Sequence, residues 1–155
     1  MYKRQKDIGI VVHPESIIHS AVEFKDSSVI AQMGLPDMKL PIQYALFYPD
    51  RKENNLESLD LFKIKQLNFH KPDINTFKCL NLAYKAISIG GTMPTVLNAA
   101  NEIAVAKFLN KEIKFLDIAN YIEKLMEQHS PFEANSLDDI LYVKKWTEKK
   151  FTELI

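Results

Sequence analysis

The spacing of apolar residues changes near Pro72, and this change limits the folds that are open to the chain. Before Pro72, apolar and polar side chains alternate, as they do from Val22 to Lys25. Beyond it, apolar side chains recur every three or four residues, as they do from Phe77 to Ile87. The first spacing is typical of a half-buried strand and the second of an amphipathic helix. The chain is therefore predicted to be α+β, with one domain over residues 1–72 and another over residues 73–155.

The first domain is predicted to contain a small sheet with a hairpin. Ile8–Val12 is a short apolar run of the kind that buried strands use. The alternating strand around Val22 meets turn residues at Asp26-Ser27, and extended character resumes over Ser28–Met33, which predicts a hairpin. Leu67–Phe69 has the pattern of a last short strand.

Helices are predicted in both domains. Pro41 favours a short helix that runs to Tyr48, because proline in a first helical turn has a fixed φ and no amide hydrogen to leave unpaired. In the second domain Ser136 can cap a helix, and the negative charge of Asp139 in the first turn would interact favourably with the positive end of the helix dipole. Amphipathic helices with short connections predict a four-helix bundle. Its helices are predicted from Phe77 to the stop at Gly90-Gly91, over Met93–Leu109, over Asp117–His129, and from Ser136 onward.

Charge and cysteine content exclude several classes of partner and site. The chain has 20 Lys and Arg against 20 Asp and Glu, so no global field attracts nucleic acid or an anionic membrane. Cys79 is the single cysteine, which excludes an intrachain disulfide and a thiolate metal cluster. No stretch approaches the ~18 apolar residues of a membrane span. The polar start of the sequence does not resemble a signal peptide.

The segment from His13 to Ser20 is the densest polar cluster beside a predicted strand. Its chemistry-bearing side chains are His13, Glu15, Ser16, His19 and Ser20. The two histidines lack the spacing of a helical zinc pair, and Pro14 disfavours a helix here. A small hydrolase, with one of the serines activated by one of the histidines, would need a third group to orient the base. Capping, turn and interface roles are the favoured alternatives.

A second polar feature lies on the predicted Met93–Leu109 helix. Asn98 and Asn101 share one helix face, and Glu102 follows them. Asparagine disfavours helix interiors, so the pattern indicates a polar network, with hydrogen bonds to neighbouring helices favoured over a substrate contact. The sequence has no GxGxxG, no phosphate-binding loop and no carboxylate set spaced for a divalent ion. From the residues alone, a stand-alone helical interaction or binding module is a candidate function.

Several motifs, taken in order, resemble one enzyme family. They are Ile10–Ser20 (IVVHPESIIHS), Val29–Leu46 (VIAQMGLPDMKLPIQYAL), Tyr48–Arg51 (YPDR), Lys71–Asp73 (KPD) and Gly90–Glu102 (GGTMPTVLNAANE). In this order they resemble the latter part of the deoxyxylulose-phosphate reductoisomerases, over about residues 7–145. One such motif would be weak evidence for the family, whereas several motifs in the family's order make a specific match.

The resemblance implies an oxidoreductase and isomerase of non-mevalonate isoprenoid biosynthesis that uses NADPH and Mg²⁺ or Mn²⁺. Residues 1–72 would be the C-terminal part of its catalytic and dimerisation domain, and residues 73–155 its helical bundle. The family's metal ligands and main phosphate contacts precede the point at which this chain begins. The chain is therefore expected to be a fragment that binds neither cofactor nor metal and has no turnover alone.

The resemblance also implies the partners and the site residues. The partners would be a small phosphorylated sugar and, through the sheet-bearing half, a second copy, in the bacterial cytoplasm and without nucleic acid or membrane. His19 matches a histidine that supports the family's site, and Pro36 and Met38 match the wall on which a closing loop packs. Ser27 stands where the family usually has a turn glycine, and residues 1–6 and 147–155 do not carry the resemblance.

Overall fold

The computed structural model describes residues 7–155, and within this range the fold is α+β, as predicted. The strands pair as one antiparallel hairpin. The elements are β1 (Ile18–Glu23), β2 (Val29–Met33), α1 (Lys39–Phe47), α2 (Leu61–Ile64), α3 (Lys78–Ile89), α4 (Met93–Leu109), α5 (Phe115–Gln128) and α6 (Leu137–Leu154). Residues 10–72 form one compact unit, and residues 73–155 belong to another, together with residues 7–9.

The predicted hairpin is present, and local hydrogen bonds explain its turn. The Phe24 amide donates to the Ser28 carbonyl at 2.9 Å, which closes the turn between β1 and β2. The Ser28 amide and hydroxyl donate to one Asp26 carboxylate oxygen at 3.0 and 2.6 Å. Ser27 has a φ of 67°. A positive φ favours glycine, so the structure gives a physical reason why a glycine would suit this position.

The other two predicted strands are wrong. Neither Ile8–Val12 nor Leu67–Phe69 becomes a strand; the described residues form only an isolated bridge there, from Val12 to His70, the residue after Phe69. Ile8–Val12 is exposed rather than buried, with Val11 at 63%. An apolar run becomes a buried strand only where neighbours pair with its backbone and cover its faces, and here the described residues pair with Val12 alone and leave the run exposed.

The short helix α1 begins earlier than its proline predicted. An Asp37 carboxylate oxygen accepts from the Lys39 amide at 2.8 Å, so the helix begins there and Pro41 lies in its first turn. Proline is tolerated in a first turn because the amide hydrogen that it lacks would have no helical partner.

The second unit is the predicted four-helix bundle. Ser136 caps α6 as expected: the Asp139 amide donates to the Ser136 hydroxyl at 3.2 Å, and the Ser136 amide donates back to Asp139 at 2.9 Å. The Ser136 hydroxyl, followed by the Asn135 amide, lowers the pKa of Asp139 by donating to its carboxylate. Helix α5 begins at Phe115, two residues before its predicted start, because the Lys114 amide donates to Asp117 at 2.9 Å.

Helix α4 forms the centre of the bundle and packs against α3, α5 and α6. It contributes Val96, Ala100 and Ala104, which have no exposed surface, and Leu125 of α5 and Val143 of α6 are equally buried. A fully buried Val or Leu stabilises a fold by roughly 1.5–3 kcal/mol relative to its exposed state. The small alanines allow the neighbouring helices to approach α4 closely. None of the helices in residues 7–155 is both long and apolar enough to cross a membrane.

Candidate functional site

A cleft within residues 10–72 has a volume of about 520 Å³. One side is the connection from β2 to α1, and the other is the loop that precedes α2. It is lined by Met33, Gly34, Leu35, Pro36, Asp37, Leu40, Asn54, Leu56, Glu57, Ser58 and Leu59. The lining combines apolar with polar side chains, and small-molecule sites place polar groups among apolar ones in this way. This cleft is therefore the candidate functional site of the unit.

Gln43 of α1 holds the loop that forms the outer side of this cleft. Its side-chain amide donates to the carbonyls of Lys52 and Glu53 at 3.0 and 3.2 Å, and its oxygen accepts from the Asn54 side chain at 2.9 Å. On the other side, the Gly34 amide donates to the Ile17 carbonyl at 3.0 Å. Both sides of the cleft are thus tied to regular structure by hydrogen bonds.

The structure brings only one of the three predicted site residues to the cleft surface. Pro36 lines the cleft. Met38 lies just before α1, is 70% exposed and does not contribute to the lining. His19 is exposed on β1, where the pairing passes from Ile18 opposite Met33 to Ser20 opposite Gln32. His19 is therefore the extra residue of a β-bulge, a feature that re-aims side chains and often lies near functional sites.

A cluster that the sequence did not predict joins the residues before β1 to Asn68. The His13 Nδ1 lies 2.8 Å from the Asn68 carbonyl and 3.0 Å from a Glu15 carboxylate oxygen. Glu15 also accepts from the Asn68 amide at 3.1 Å and from the Asn68 side chain. The Asn68 side chain, followed by its amide, lowers the pKa of Glu15. Phe69 stacks on the His13 ring with 4.9 Å between centroids.

This cluster does not have the arrangement of a serine hydrolase. Both partners of His13 Nδ1 are acceptors, and its Nε2 is buried without a hydrogen-bond partner in the described chain. Within residues 7–155, neither the Ser16 hydroxyl nor the Ser20 hydroxyl forms a hydrogen bond with a histidine ring. A base-activated nucleophile requires that hydrogen bond, so the geometry gives the hydrolase hypothesis no support.

The polar residues of α4 form a network within the bundle. The Asn98 side chain donates to Glu102 at 3.1 Å, and Lys144 of α6 lies 3.8 Å from the same carboxylate. Asn101 is exposed. The hydrogen bond of Asn98 therefore lies within α4, and of these two contacts only the ion pair of Glu102 reaches a neighbouring helix, whereas the sequence predicted hydrogen bonds to neighbouring helices.

The glycine pair is a tight turn rather than a phosphate cradle. Gly90 and Gly91 have φ values of 75° and 54°, and a Cβ at Gly91 would collide with the Phe132 carbonyl. The next amide, that of Thr92, donates to the Phe132 carbonyl at 2.9 Å, and the Thr92 hydroxyl lies 2.7 Å from His129 Nε2. The N-terminus of α4 is therefore occupied by the protein's own chain. Burial lowers the pKa of His129.

The described residues do not fit a divalent metal. No group of three or more His, Cys, Asp or Glu within residues 7–155 is arranged to hold an ion. Protein sites for Mg²⁺ use carboxylates and substrate phosphates as ligands, and structural zinc sites use four side chains. Fold and site together define an α+β protein whose described residues contain a substrate-sized cleft without a metal centre.

Comparison with known proteins places the chain in a family. The model of the DXP reductoisomerase C-terminal domain matches residues 33–150. The chain therefore belongs to the DXP reductoisomerase family. The 1-deoxy-D-xylulose 5-phosphate reductoisomerase of Acetivibrio thermocellus is 56% identical over 151 residues, 97% of this chain and 40% of that protein. The enzyme of the same name from Clostridium tetani is 59% identical over 140 residues, 90% of this chain and 36% of that protein.

Solved structures show the same architecture. The 1-deoxy-D-xylulose 5-phosphate reductoisomerase of Zymomonas mobilis, in complex with NADPH, superposes with a TM-score of 0.87 at 46% identity, over 93% of this chain and 38% of that one. A DOX-P reductoisomerase in complex with NADPH, fosmidomycin and magnesium gives 0.87 at 39% identity, over 92% and 37%. The chain spans about two fifths of the length of the relatives it matches.

Proposed function

We propose that this chain supplies a wall of the substrate site and the helical bundle of a 1-deoxy-D-xylulose 5-phosphate reductoisomerase. The reaction would be the NADPH-dependent conversion of 1-deoxy-D-xylulose 5-phosphate to 2-C-methyl-D-erythritol 4-phosphate. The observation that carries the proposal is the cleft edged by Pro36, whose lining residues all lie within the part of the chain that the family model matches. Its size suits a small phosphorylated sugar.

The contribution of this chain would be positioning and exclusion of water. Leu35, Leu40, Leu56 and Leu59 give the cleft an apolar surface, and excluding water strengthens the electrostatic interactions of a bound polar substrate. The largely exposed Met38 offers apolar contact area to a segment that closes over the site. The described residues do not fit the metal, so we assign no metal-dependent or nucleotide-dependent step to them. We expect the chain to have no turnover by itself.

His19 would support the site rather than transfer a proton. It lies one residue from Ile18, which pairs with the cleft residue Met33, so its backbone is fixed close to the cleft rim. Replacing His19 with Ala is expected to lower kcat without abolishing it.

We further propose that residues 1–72 complete the catalytic and dimerisation domain, that residues 73–155 are the C-terminal bundle, and that the protein acts in the bacterial cytoplasm. The first assignment is supported by the many apolar side chains that residues 10–72 leave exposed. The location is supported by the bacterial sources of the relatives.

A homodimer through residues 10–72 follows from the same proposal. Val22 and Ile30 face each other across the hairpin and are 58% and 66% exposed. A sheet with uncovered apolar side chains and unpaired edges is a template for association. Sedimentation should show a dimer, and Val22→Lys combined with Ile30→Lys should give a monomer. Leu116→Lys, on the bundle and also exposed, is the control that should leave the dimer intact.

A chimera tests the proposed activity. Residues 7–155 are joined to the preceding part of the Acetivibrio thermocellus relative at the aligned position, and NADPH oxidation is followed with 1-deoxy-D-xylulose 5-phosphate and Mg²⁺. The chimera should turn over, whereas this chain and the relative's N-terminal part should each be inactive alone. A folded but inactive chimera would contradict the proposal and favour a stand-alone helical interaction module.

A further inference from the structure

His13 holds the segment before β1 in place through one ring nitrogen. Its Nδ1 faces two acceptors, the Asn68 carbonyl at 2.8 Å and a Glu15 carboxylate oxygen at 3.0 Å. Carbonyl and carboxylate oxygens only accept, so Nδ1 must carry the hydrogen. Only 7% of the His13 side chain is exposed, and its Nε2 contacts no hydrogen-bond partner within residues 7–155. The polar contribution of the ring therefore runs through Nδ1.

The cluster anchors the chain to residues far away in the sequence. Asn68 lies 53 positions beyond Glu15 and gives that carboxylate both its amide and its side-chain hydrogens. The Val12–His70 bridge adds amide-to-carbonyl bonds of 2.9 Å in both directions beside this cluster. A hydrogen bond to a charged group is stronger than one between neutral groups. His13 is thus held in two ways, through the ring contacts with Asn68 and Glu15 and through the backbone pairing of the preceding residue, Val12.

A short, constrained path leads from His13 to His19. The Ser16 amide donates to the His13 carbonyl at 3.1 Å, and Ser16 has a φ of 52°. Ile17 is 4% exposed, and its carbonyl accepts from the cleft residue Gly34. Ile18 is then paired with Met33, and His19 follows at the bulge. Little freedom remains between the cluster and the bulge, because Pro14 has a fixed φ as well.

We propose that His13 is a positioning residue of the reductoisomerase site, which fixes His19 and the rim of the cleft at Gly34 by locking the segment before β1 onto Asn68. This inference rests on the proposed function. His13 does not line the cleft, so it acts on substrate only through the residues that it orients. A small displacement of a supporting group can lower the rate of the chemical step while substrate binding is retained.

Two similar substitutions test whether Nδ1 carries the effect. In the chimera, His13→Asn places an amide nitrogen where Nδ1 lies, whereas His13→Gln places one where the unpartnered Nε2 lies. We expect His13→Gln to lower kcat about tenfold with KM within about twofold, and His13→Asn to retain most of kcat. Equal losses in the two variants, or a loss in KM alone, would overturn the proposal. If His13→Gln does not fold, Glu15→Gln is used in its place, because the NH2 group of a glutamine would face a donor of Asn68 instead of accepting from it. An unchanged kcat in Glu15→Gln would equally overturn the proposal.

A double-mutant cycle identifies the residue through which His13 acts. His13→Gln should cause no further loss of kcat in a chimera that already carries His19→Ala, and losses that multiply would contradict positioning through His19. An inactive parent chimera would instead count against the proposed function. Amide hydrogen exchange on the full chain then tests the positioning separately. The β1 amides should exchange faster in His13→Gln and not in His13→Asn, and equal exchange would overturn the inference.

Discussion

The two units of this protein use apolar residues in opposite ways. In residues 73–155, side chains from four helices meet in one core, where Val96, Leu125 and Val143 have no exposed surface. In residues 10–72 the only buried hydrophobic side chain that the structure describes is Ile17. Phe62 there is 93% exposed. Apolar composition therefore does not make a core by itself; the elements must also surround a common interior.

The difference follows from the geometry of the elements. Four amphipathic helices can each turn an apolar stripe toward the others and close around it. A two-stranded hairpin has two faces and two edges, and it is marginally stable unless another layer covers it. Within residues 10–72, α1 contributes no buried residue and α2 has four residues, so neither acts as a covering layer. We expect the bundle to dominate the stability of the chain.

The sharpest way to break this comparison is to truncate one phenylalanine in each unit. Phe151→Ala empties a site in the bundle core that is 1% exposed, and we expect the free energy of unfolding to fall by about 3–5 kcal/mol. Phe62→Ala removes the same atoms from a solvated side chain and should change it by less than about 0.5 kcal/mol. Urea denaturation followed by circular dichroism measures both. Similar losses would show that residues 10–72 contain a core of their own.

Replacing a glycine by alanine in each unit should give a smaller difference in stability between the two variants. Gly91→Ala introduces a Cβ that collides with the Phe132 backbone, in a residue with a positive φ, and should cost about 2–4 kcal/mol. In Gly34→Ala the nearest atoms lie at 3.4 and 3.6 Å, both in side chains, so the cost should stay below about 1 kcal/mol. Thermal unfolding of both variants provides the measurement. A larger loss of thermal stability in Gly34→Ala than in Gly91→Ala would contradict this comparison of the two units.

Removing one helix cap in each unit repeats the comparison with an expected effect of about 1 kcal/mol on the free energy of unfolding. Ser136→Ala removes the hydroxyl that caps α6, a helix with buried residues, and should lower the free energy of unfolding by about 1 kcal/mol. Asp60→Ala removes the carboxylate that accepts from the Phe62 amide at 2.9 Å, at the start of α2. Because α2 buries no residue, the second substitution should leave the midpoint of bundle unfolding unchanged. Equal shifts would indicate that the two units unfold together.

The smallest expected effect is a pH dependence within the bundle. Burial lowers the pKa of His129 below 6.5, so below that pH the unfolded chain takes up a proton more readily than the folded one. The free energy of unfolding is therefore highest above pH 6.5, where His129 is neutral in both states, and it falls as the pH drops toward the folded-state pKa. Denaturation between about pH 7.5 and pH 5.5 should show a steeper loss for the native sequence than for His129→Gln. Parallel curves would contradict this linkage.

The helices and the hairpin could be predicted because their determinants are local. A period near 3.6 residues, the Ser136 and Asp139 pair and the stop at Gly90-Gly91 specified the bundle helices, whose predicted starts lie within two residues of the observed ones. Alternation around a turn specified β1 and β2. Motif order indicated the family, which the match over residues 33–150 confirms. The assigned roles of His19, Pro36 and Met38 stay predictions.

Tertiary structure decided what depends on distant partners. Sequence spacing could not show that His13 and Glu15 meet Asn68, since a hydrogen bond across 53 positions leaves no local pattern. Nor could it show that Ile8–Val12 stays exposed, because a strand is defined by the backbone that pairs with it and not by its own residues. Local periodicity fixes the elements, whereas the free energy of burial and long-range pairing decides which of them form a core.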